Sequence, residues 1–253
     1  MRLKIKHFVV FITICSLHSC NQNKYTLTKI EGKQIALDST YFENDSVEGY
    51  VSPYRTRINT ILDSTLAFAP NAITKTDGEY NTSAGNLMAD IVFTQSNPIF
   101  KSRTGKEIDF VLLNHGGIRS IISAGKVSAR NAFEVMPFEN SIVVAEVKGS
   151  DVQEIISFLI NSGRAHPIAG LQIVIDKNKE LRYAKIKGKP ISAESTYYVA
   201  TSDYLVSGGD NMGFFKNNTS IIDTDYLIRN AMIDYFKKVD TIAPKIDNRF
   251  YME

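Results

Sequence analysis

The chain has 253 residues, of which 43% are hydrophobic and 22% charged, with a formal net charge of +2. That length holds one large domain with its own core, or two small ones. Basic and acidic residues are spread evenly with no polybasic run, which excludes an electrostatic nucleic-acid surface.

The N-terminus departs from this background. Arg2, Lys4 and Lys6 precede an apolar run from Phe8 to Ile14, followed by Leu17-His18-Ser19-Cys20. The run is too short to span a bilayer and reads as a secretory leader over residues 1–20. Its ending resembles a bacterial lipobox, although His18 stands where a small residue is usual. On this reading Cys20 is lipidated, and the chain is secreted and held at a bacterial membrane, in the periplasm or at the cell surface, by its lipid. Cys15 and Cys20 are the only cysteines, so the mature domain has neither a thiol nucleophile nor a disulfide.

Residues 21–40 are polar and read as a tether, and residues 41–253 as the domain. Tyr50, Tyr54, Ile58, Ile61, Leu62 and Leu66 recur at helical spacing and predict a helix starting near Ser52-Pro53. A second helix is predicted over Ser83–Thr94, capped by Ser83, with Leu87, Ile91 and Val92 inward. Asp109–Asn114 reads as a buried strand running into a turn, His115–Arg119. Ser128 caps a short helix through Val135. Ser141–Val147 is a strand and Asp151–Leu159 an amphipathic helix. Leu171–Ile175, Leu181–Ile186 and Thr196–Ala200 are further strands. A glycine turn, Ser207-Gly208-Gly209-Asp210, precedes a final helix over Asp225–Val239 with Tyr226, Ile228, Ala231, Met232 and Phe236 inward. Helices and strands mix without strict alternation, which predicts an α+β (mixed α/β) single domain with a mixed sheet flanked by helices.

Three segments carry candidate chemistry. In Asn114-His115-Gly116-Gly117-Ile118-Arg119 the glycines allow close backbone approach, and Arg119 offers a planar fork for phosphate or carboxylate. Pro137-Phe138-Glu139-Asn140 places an aromatic in a loop, where it either stacks on a flat ligand or plugs the core. Tyr204 lies six residues before Asp210 across Gly208-Gly209, so ring and carboxylate can share one wall. Each segment taken alone also reads as plain turn chemistry.

Their order is more specific. Gly85-Asn86-Leu87-Met88-Ala89-Asp90, Asn114-x-Gly-Gly-Ile-Arg119, Pro137-Phe138-x-Asn140 and Tyr204-x-x-x-Gly208-Gly209-Asp210 follow one another. This series resembles the C-terminal domain of the 5′-nucleotidase / UDP-sugar hydrolase family from about residue 45 to 240. The resemblance implies a nucleoside or nucleotide ligand and the fold of that domain. It implies that Phe138 and Tyr204 sandwich the base, that Asn114 contacts the nucleoside, and that Arg119 lies near the phosphate. Asp210 would accept from ribose hydroxyls, with Gly116, Gly117, Gly208 and Gly209 shaping the backbone. Asn86 and Asp90 would organise the helix rather than touch ligand. Tyr204 stands where the family usually has phenylalanine, and His115 where it has glycine. An arginine that often precedes the Gly-Asn-Leu motif is absent from Thr76–Asn81, which implies a weaker phosphate end.

The family hydrolyses its substrates with two metals held in an N-terminal metallophosphatase domain. Only His115 and His166 remain after the leader, and neither Asp-x-His nor Gly-His-x-His occurs. The sequence therefore predicts no metal and no catalytic residue in this chain. It predicts instead a nucleotide-recognition domain for nucleotide catabolism, acting with a separately encoded metallophosphatase that brings two divalent metals. The alternatives are a stand-alone nucleoside-binding surface lipoprotein without catalysis, and a surface protein whose pocket is no longer used.

Overall fold

The computed structural model describes residues 4–5, 8–10, 12–13, 26–38 and 44–253. The expected lipid attachment at Cys20 lies outside the described residues. The chain divides into two compact units, Met1–Tyr50 and Val51–Glu253. Residues 26–38 form neither helix nor strand, and no described helix is long and apolar enough to cross a membrane.

The first helix of the domain, α1, runs over Asp45–Leu62 with Pro53 in its interior, so it starts a full two turns before the predicted Ser52-Pro53. The cause is Asn44, whose Oδ1 accepts the backbone N–H groups of Ser46 at 3.1 Å and Val47 at 3.2 Å. This cap satisfies N–H groups that a helix start leaves orphaned. No residue of α1 is buried, and Arg130 fastens its far end by donating to Asn59 at 2.8 Å and Asp63 at 3.0 Å.

Strand β1 (Thr65–Ala69) pairs antiparallel with β3 (Gly125–Ser128) as a separate two-stranded ribbon. Between them come α2 (Ser83–Thr104) and β2 (Phe110–Leu112). The cap of α2 is Thr82 rather than Ser83. The Thr82 hydroxyl accepts the Gly85 N–H at 3.1 Å, while the Ser83 hydroxyl is turned to the Thr74 carbonyl at 3.2 Å. The helix passes the expected end at Thr94 and Pro98, because its apolar stripe continues to the fully buried Phe100. It stops at Gly105, which adopts φ +73 and returns its N–H to the Lys101 carbonyl. As expected, Asn86 and Asp90 serve the helix's surroundings. Asn86 donates to Asn81 at 2.7 Å and to the Lys245 carbonyl at 2.8 Å, and Asp90 pairs with Arg249 at 2.9 Å.

The remaining elements are α3 (Ala129–Val135), β4 (Ser141–Lys148), α4 (Gly149–Asn161), β5 (Ile168–Ala169), β6 (Leu171–Ile175), β7 (Leu181–Ile186), β8 (Lys189–Pro190), β9 (Thr196–Ser202), α5 (Asp203–Val206), β10 (Ser220–Leu227), α6 (Ile228–Lys238) and β11 (Phe250–Met252). The central sheet has the order β10-β4-β9-β2-β5, and a second sheet the order β11-β6-β7-β8. In the central sheet only β2 and β9 are parallel. Strands β2 and β4 are buried on both faces, which is why they read as continuous apolar runs, whereas the edge strand β10 is half-buried to exposed along most of its length. Val111, Leu113, Ile142 and Val144 face the core shared with α2 and α6, while Phe110, Leu112, Ala145 and Val147 face the one shared with α4. This is the alternation that a strand's period of two dictates. The architecture is the expected α+β one with mixed sheets.

The last helix begins at Ile228, not Asp225. Residues 220–227 form β10, whose pairing with β4 shifts register between Asp223 and Leu227, where Asp225 takes φ +53. Tyr226 thus belongs to a bulged strand, while Ile228, Ala231, Met232 and Phe236 are buried as predicted.

His166 lies between α4 and β5 as expected for a loop residue, but it is 93% buried at 7% exposure, with its ring 5.3 Å from Phe158. Its Nδ1 accepts the backbone N–H of His115 at 3.3 Å, which requires that nitrogen to be unprotonated. Burial pushes its pKa from 6.5 down to about 4, outweighing a backbone hydrogen bond at Leu113 that acts the other way. Because the folded value lies below the unfolded one, the unfolded chain takes up the proton first as pH falls. Stability from this group is therefore intact above pH 6.5 and lost progressively toward pH 4, where the loss reaches about 3 kcal/mol. Urea unfolding at pH 7 and pH 4 should show that His166→Gln narrows the difference between the two pH values by roughly that amount. An unchanged difference would remove His166 as the cause.

Candidate functional site

Three loops meet at one end of the central sheet, and strand direction explains why. β2 and β9 are parallel neighbours, with Phe110 opposite Val199, so the segments that follow them leave at the same end. β4 is antiparallel to β9, with Ile142 opposite Ser202, so the segment before β4 arrives there too. These segments are the Asn114–Arg119 turn, the Tyr204–Asp210 turn and the Pro137–Asn140 loop. Open sheets commonly bind ligands beyond the carboxyl ends of parallel strands.

After β2 the chain enters a 3-10 turn over His115–Gly117. The Asn114 side chain folds back over this turn, and a Cβ on Gly117 would stand 2.8 Å from its Oδ1. Only glycine leaves that space free. Asn114 Nδ2 then donates to Asp210 Oδ2 at 2.7 Å, joining two loops 96 residues apart. Arg119 is set by its backbone N–H, which donates to the Val135 carbonyl at 2.8 Å. Its guanidinium stands 6.0 Å above the centre of the Phe138 ring.

Phe138 is 42% exposed, so it does not plug the core. Its loop is held from behind by the start of α6. The Ile228 N–H donates to the Asn140 carbonyl at 3.0 Å, and Arg229 Nη1 donates to the Phe138 carbonyl at 3.3 Å. Tyr204 sits on α5, which Ser202 caps by accepting the Leu205 N–H at 3.3 Å. Gly208 turns the chain with φ +94, and Gly209 lies under the Tyr204 ring, where a Cβ would come within 2.4 Å of Cζ. Asp210 itself adopts φ 50, ψ 33, a left-handed conformation that aspartate enters more readily than most non-glycine residues. Its carboxylate holds two partners: Oδ2 accepts from Asn114, and Oδ1 accepts from the Tyr204 hydroxyl at 3.1 Å. A carboxylate has about four acceptor positions, so each oxygen keeps one for a ligand.

Together these loops bound a cleft of about 320 Å³, at the small end of ligand-sized pockets. All the predicted ligand-facing residues line it except Gly208 and Gly209, which set the backbone beneath Tyr204 and Asp210. Two half-exposed rings, one guanidinium and one carboxylate suit a flat, part-charged, hydroxyl-bearing molecule.

Sequence reasoning missed three contributors. Asn140 also lines the cleft, and its place in the Pro-Phe-x-Asn motif was the available signal. Lys75 donates to the Ile118 carbonyl at 2.7 Å, next to Arg119, so an ammonium lies beside the turn although Thr76–Asn81 has no arginine. Arg229 is buried at 5% exposure. An arginine between Ile228 and Ala231, at the buried spacing of α6, was a visible oddity.

Among the described residues, no group of three His, Cys, Asp or Glu side chains comes together to hold a metal. His115 Nδ1 is engaged with the Ala165 carbonyl at 3.1 Å. The donor set at this site does not fit a two-metal centre, and no hydrolytic step is assigned to it.

Known proteins share the fold. Protein UshA of Yersinia enterocolitica is 31% identical over 134 residues, which is 51% of this chain and 24% of that protein. The trifunctional nucleotide phosphoesterase protein YfkN of Bacillus subtilis is 24% identical over 236 residues, 85% of this chain and 16% of its own length. The chain thus spans a quarter or less of these two relatives. The crystal structure of a 5′-nucleotidase precursor from Thermus thermophilus superposes with a TM-score of 0.68 at 21% identity, covering 82% of this chain and 42% of its own. The sequence profile described as 5′-nucleotidase, C-terminal domain matches residues 63–217, which include all three loops of the cleft, and the chain belongs to that family.

Proposed function

We propose that the cleft is a nucleoside clamp, with the base between Phe138 and Tyr204, the ribose hydroxyls at Asp210 and a 5′-phosphate toward Arg119. The observation that carries this reading is the pairing, in one cleft, of two half-exposed aromatic rings with a carboxylate that has acceptor positions to spare. Membership of the family and the likeness to the trifunctional nucleotide phosphoesterase protein YfkN support nucleotides as the ligand class. The domain's part in nucleotide catabolism is recognition. Two divalent metals and the activated water come from a separately encoded metallophosphatase, since two-metal hydrolysis needs a ligand cluster of a kind not formed among the described residues. The leader ending at Cys20 supports a site of action outside the cytoplasm, on a lipid anchor.

Stacking on an aromatic is worth about 1–3 kcal/mol per base, so Phe138→Ala and Tyr204→Ala should each weaken nucleoside binding by roughly 5- to 150-fold in calorimetry. Unchanged affinity in both variants would refute the clamp. Gly209→Ala should reproduce the Tyr204→Ala loss with the melting temperature nearly unmoved, because the new methyl would displace that ring.

Asparagine tolerates the left-handed backbone of residue 210, and Asp210→Asn removes the charge together with one of the two acceptor oxygens that serve Asn114 and Tyr204. The parent protein should bind ribonucleosides about ten-fold more tightly than 2′,3′-dideoxynucleosides, and the variant should lose most of that preference. Equal preference in the two proteins would place the sugar elsewhere. For the partner, mixing this chain with a metallophosphatase encoded beside it should raise nucleotidase activity above that of the metal protein alone. No increase, together with intact nucleoside binding, would favour a stand-alone binding lipoprotein.

A further inference from the structure

Arg229 occupies a costly position. It is the second residue of α6, where the helix dipole disfavours a cation. Its side chain is 6% exposed and its Nε is buried without a hydrogen-bond partner, and burying an unsatisfied charged donor is penalised further. A residue kept only to stabilise the core would be apolar here, as its helical neighbours Ile228, Ala231 and Met232 are.

What the guanidinium touches lies almost wholly on the loop that carries Phe138. Nη1 donates to the Phe138 carbonyl at 3.3 Å, and Nη2 is paired with the Glu139 carboxylate. The Phe133 ring of α3 lies against its face at 4.3 Å, which orients the planar group as cation–π contact favours. The preceding residue, Ile228, holds the end of the same loop through the Asn140 carbonyl. Two consecutive residues of α6 therefore grip three consecutive residues of the loop.

We propose that Arg229 is a positioning residue: it fixes the Pro137–Asn140 loop so that the Phe138 ring stands ready at the cleft before any ligand arrives. Preorganisation of this kind spares a ligand the entropy of ordering the loop. The Arg119 guanidinium stands 6.0 Å from the centre of the ring held in this way. The effect on ligand binding rests on the nucleoside-clamp reading, whereas the restraint of the ring does not.

The chain contains no tryptophan, so Phe138→Trp provides a single indole whose anisotropy reports the motion of the loop. Adding Arg229→Met, which replaces the buried charge with an apolar chain of similar length, should lower that anisotropy while the melting temperature stays level or rises. In the protein with Phe138 intact, Arg229→Met should raise the Kd for adenosine about ten-fold. Glu139→Ala strips the carboxylate from the buried guanidinium, which costs some stability, but leaves the bond to the Phe138 carbonyl, so it should shift both readouts in the same direction by less. Should Arg229→Met fail to fold, Glu139→Ala decides alone: a looser indole supports the inference, and an unchanged one overturns it. Unchanged anisotropy in a folded Arg229→Met protein also overturns it. A looser indole in a protein that binds no nucleoside would sink the clamp reading and leave the positioning role standing.

Discussion

The cleft depends on one backbone arrangement, the hydrogen-bonded run β4-β9-β2. Within it β9 is parallel to β2 and antiparallel to β4. That choice of directions sends three loops, separated by as many as 96 residues in the chain, to a single edge. Reversing one strand would carry its loop to the opposite end of the sheet, about a strand length away. The two cores stacked on the sheet's faces hold the directions fixed, because each strand contributes buried side chains to both. A one-residue slip would exchange those faces wholesale. The scaffold is therefore rigid where the loops depart from it, and the loops carry the chemistry.

At that edge several local preferences are overridden. Asp210 and Asn211 are both left-handed, Gly209 is pressed under a ring, and Arg229 is buried at a helix start. None of these features improves the fold by itself. Sites that break local rules while the surrounding structure holds them in place are where function concentrates. Here they converge on the placement of two rings and one carboxylate.

Much of this was legible in the sequence. The run Asp109–Asn114 announced a buried strand and Ser141–Val147 a second strand, and the ordered motifs from Gly85 to Asp210 named the residues that line the cleft. What escaped has physical causes. Local periodicity cannot see that β10 pairs with β4, so Asp225–Leu227 read as the first turn of a helix. The helix expected to end at Thr94 runs on through Pro98, because the fully buried Phe100 lies beyond it. The Asn44 cap moved the start of α1 away from Pro53, and proline's preference for a first turn lost to two hydrogen bonds. Arg229 was visible as an oddity but not as a contact, because its partners on the Phe138 loop lie some 90 residues earlier.

The hydroxyl that sets Tyr204 apart from a phenylalanine does more than decorate a ring. It donates to Asp210 across the glycine turn, so the aromatic wall and the carboxylate are joined by a hydrogen bond. Under the clamp reading, a ligand that draws the carboxylate toward its sugar also tilts the surface on which its base rests. The two halves of the ligand would then be read cooperatively, and the energies of separate substitutions on the two sides would not sum. Selectivity for the sugar would be adjustable by changes on the aromatic wall, a route closed to a clamp built from two independent phenylalanines.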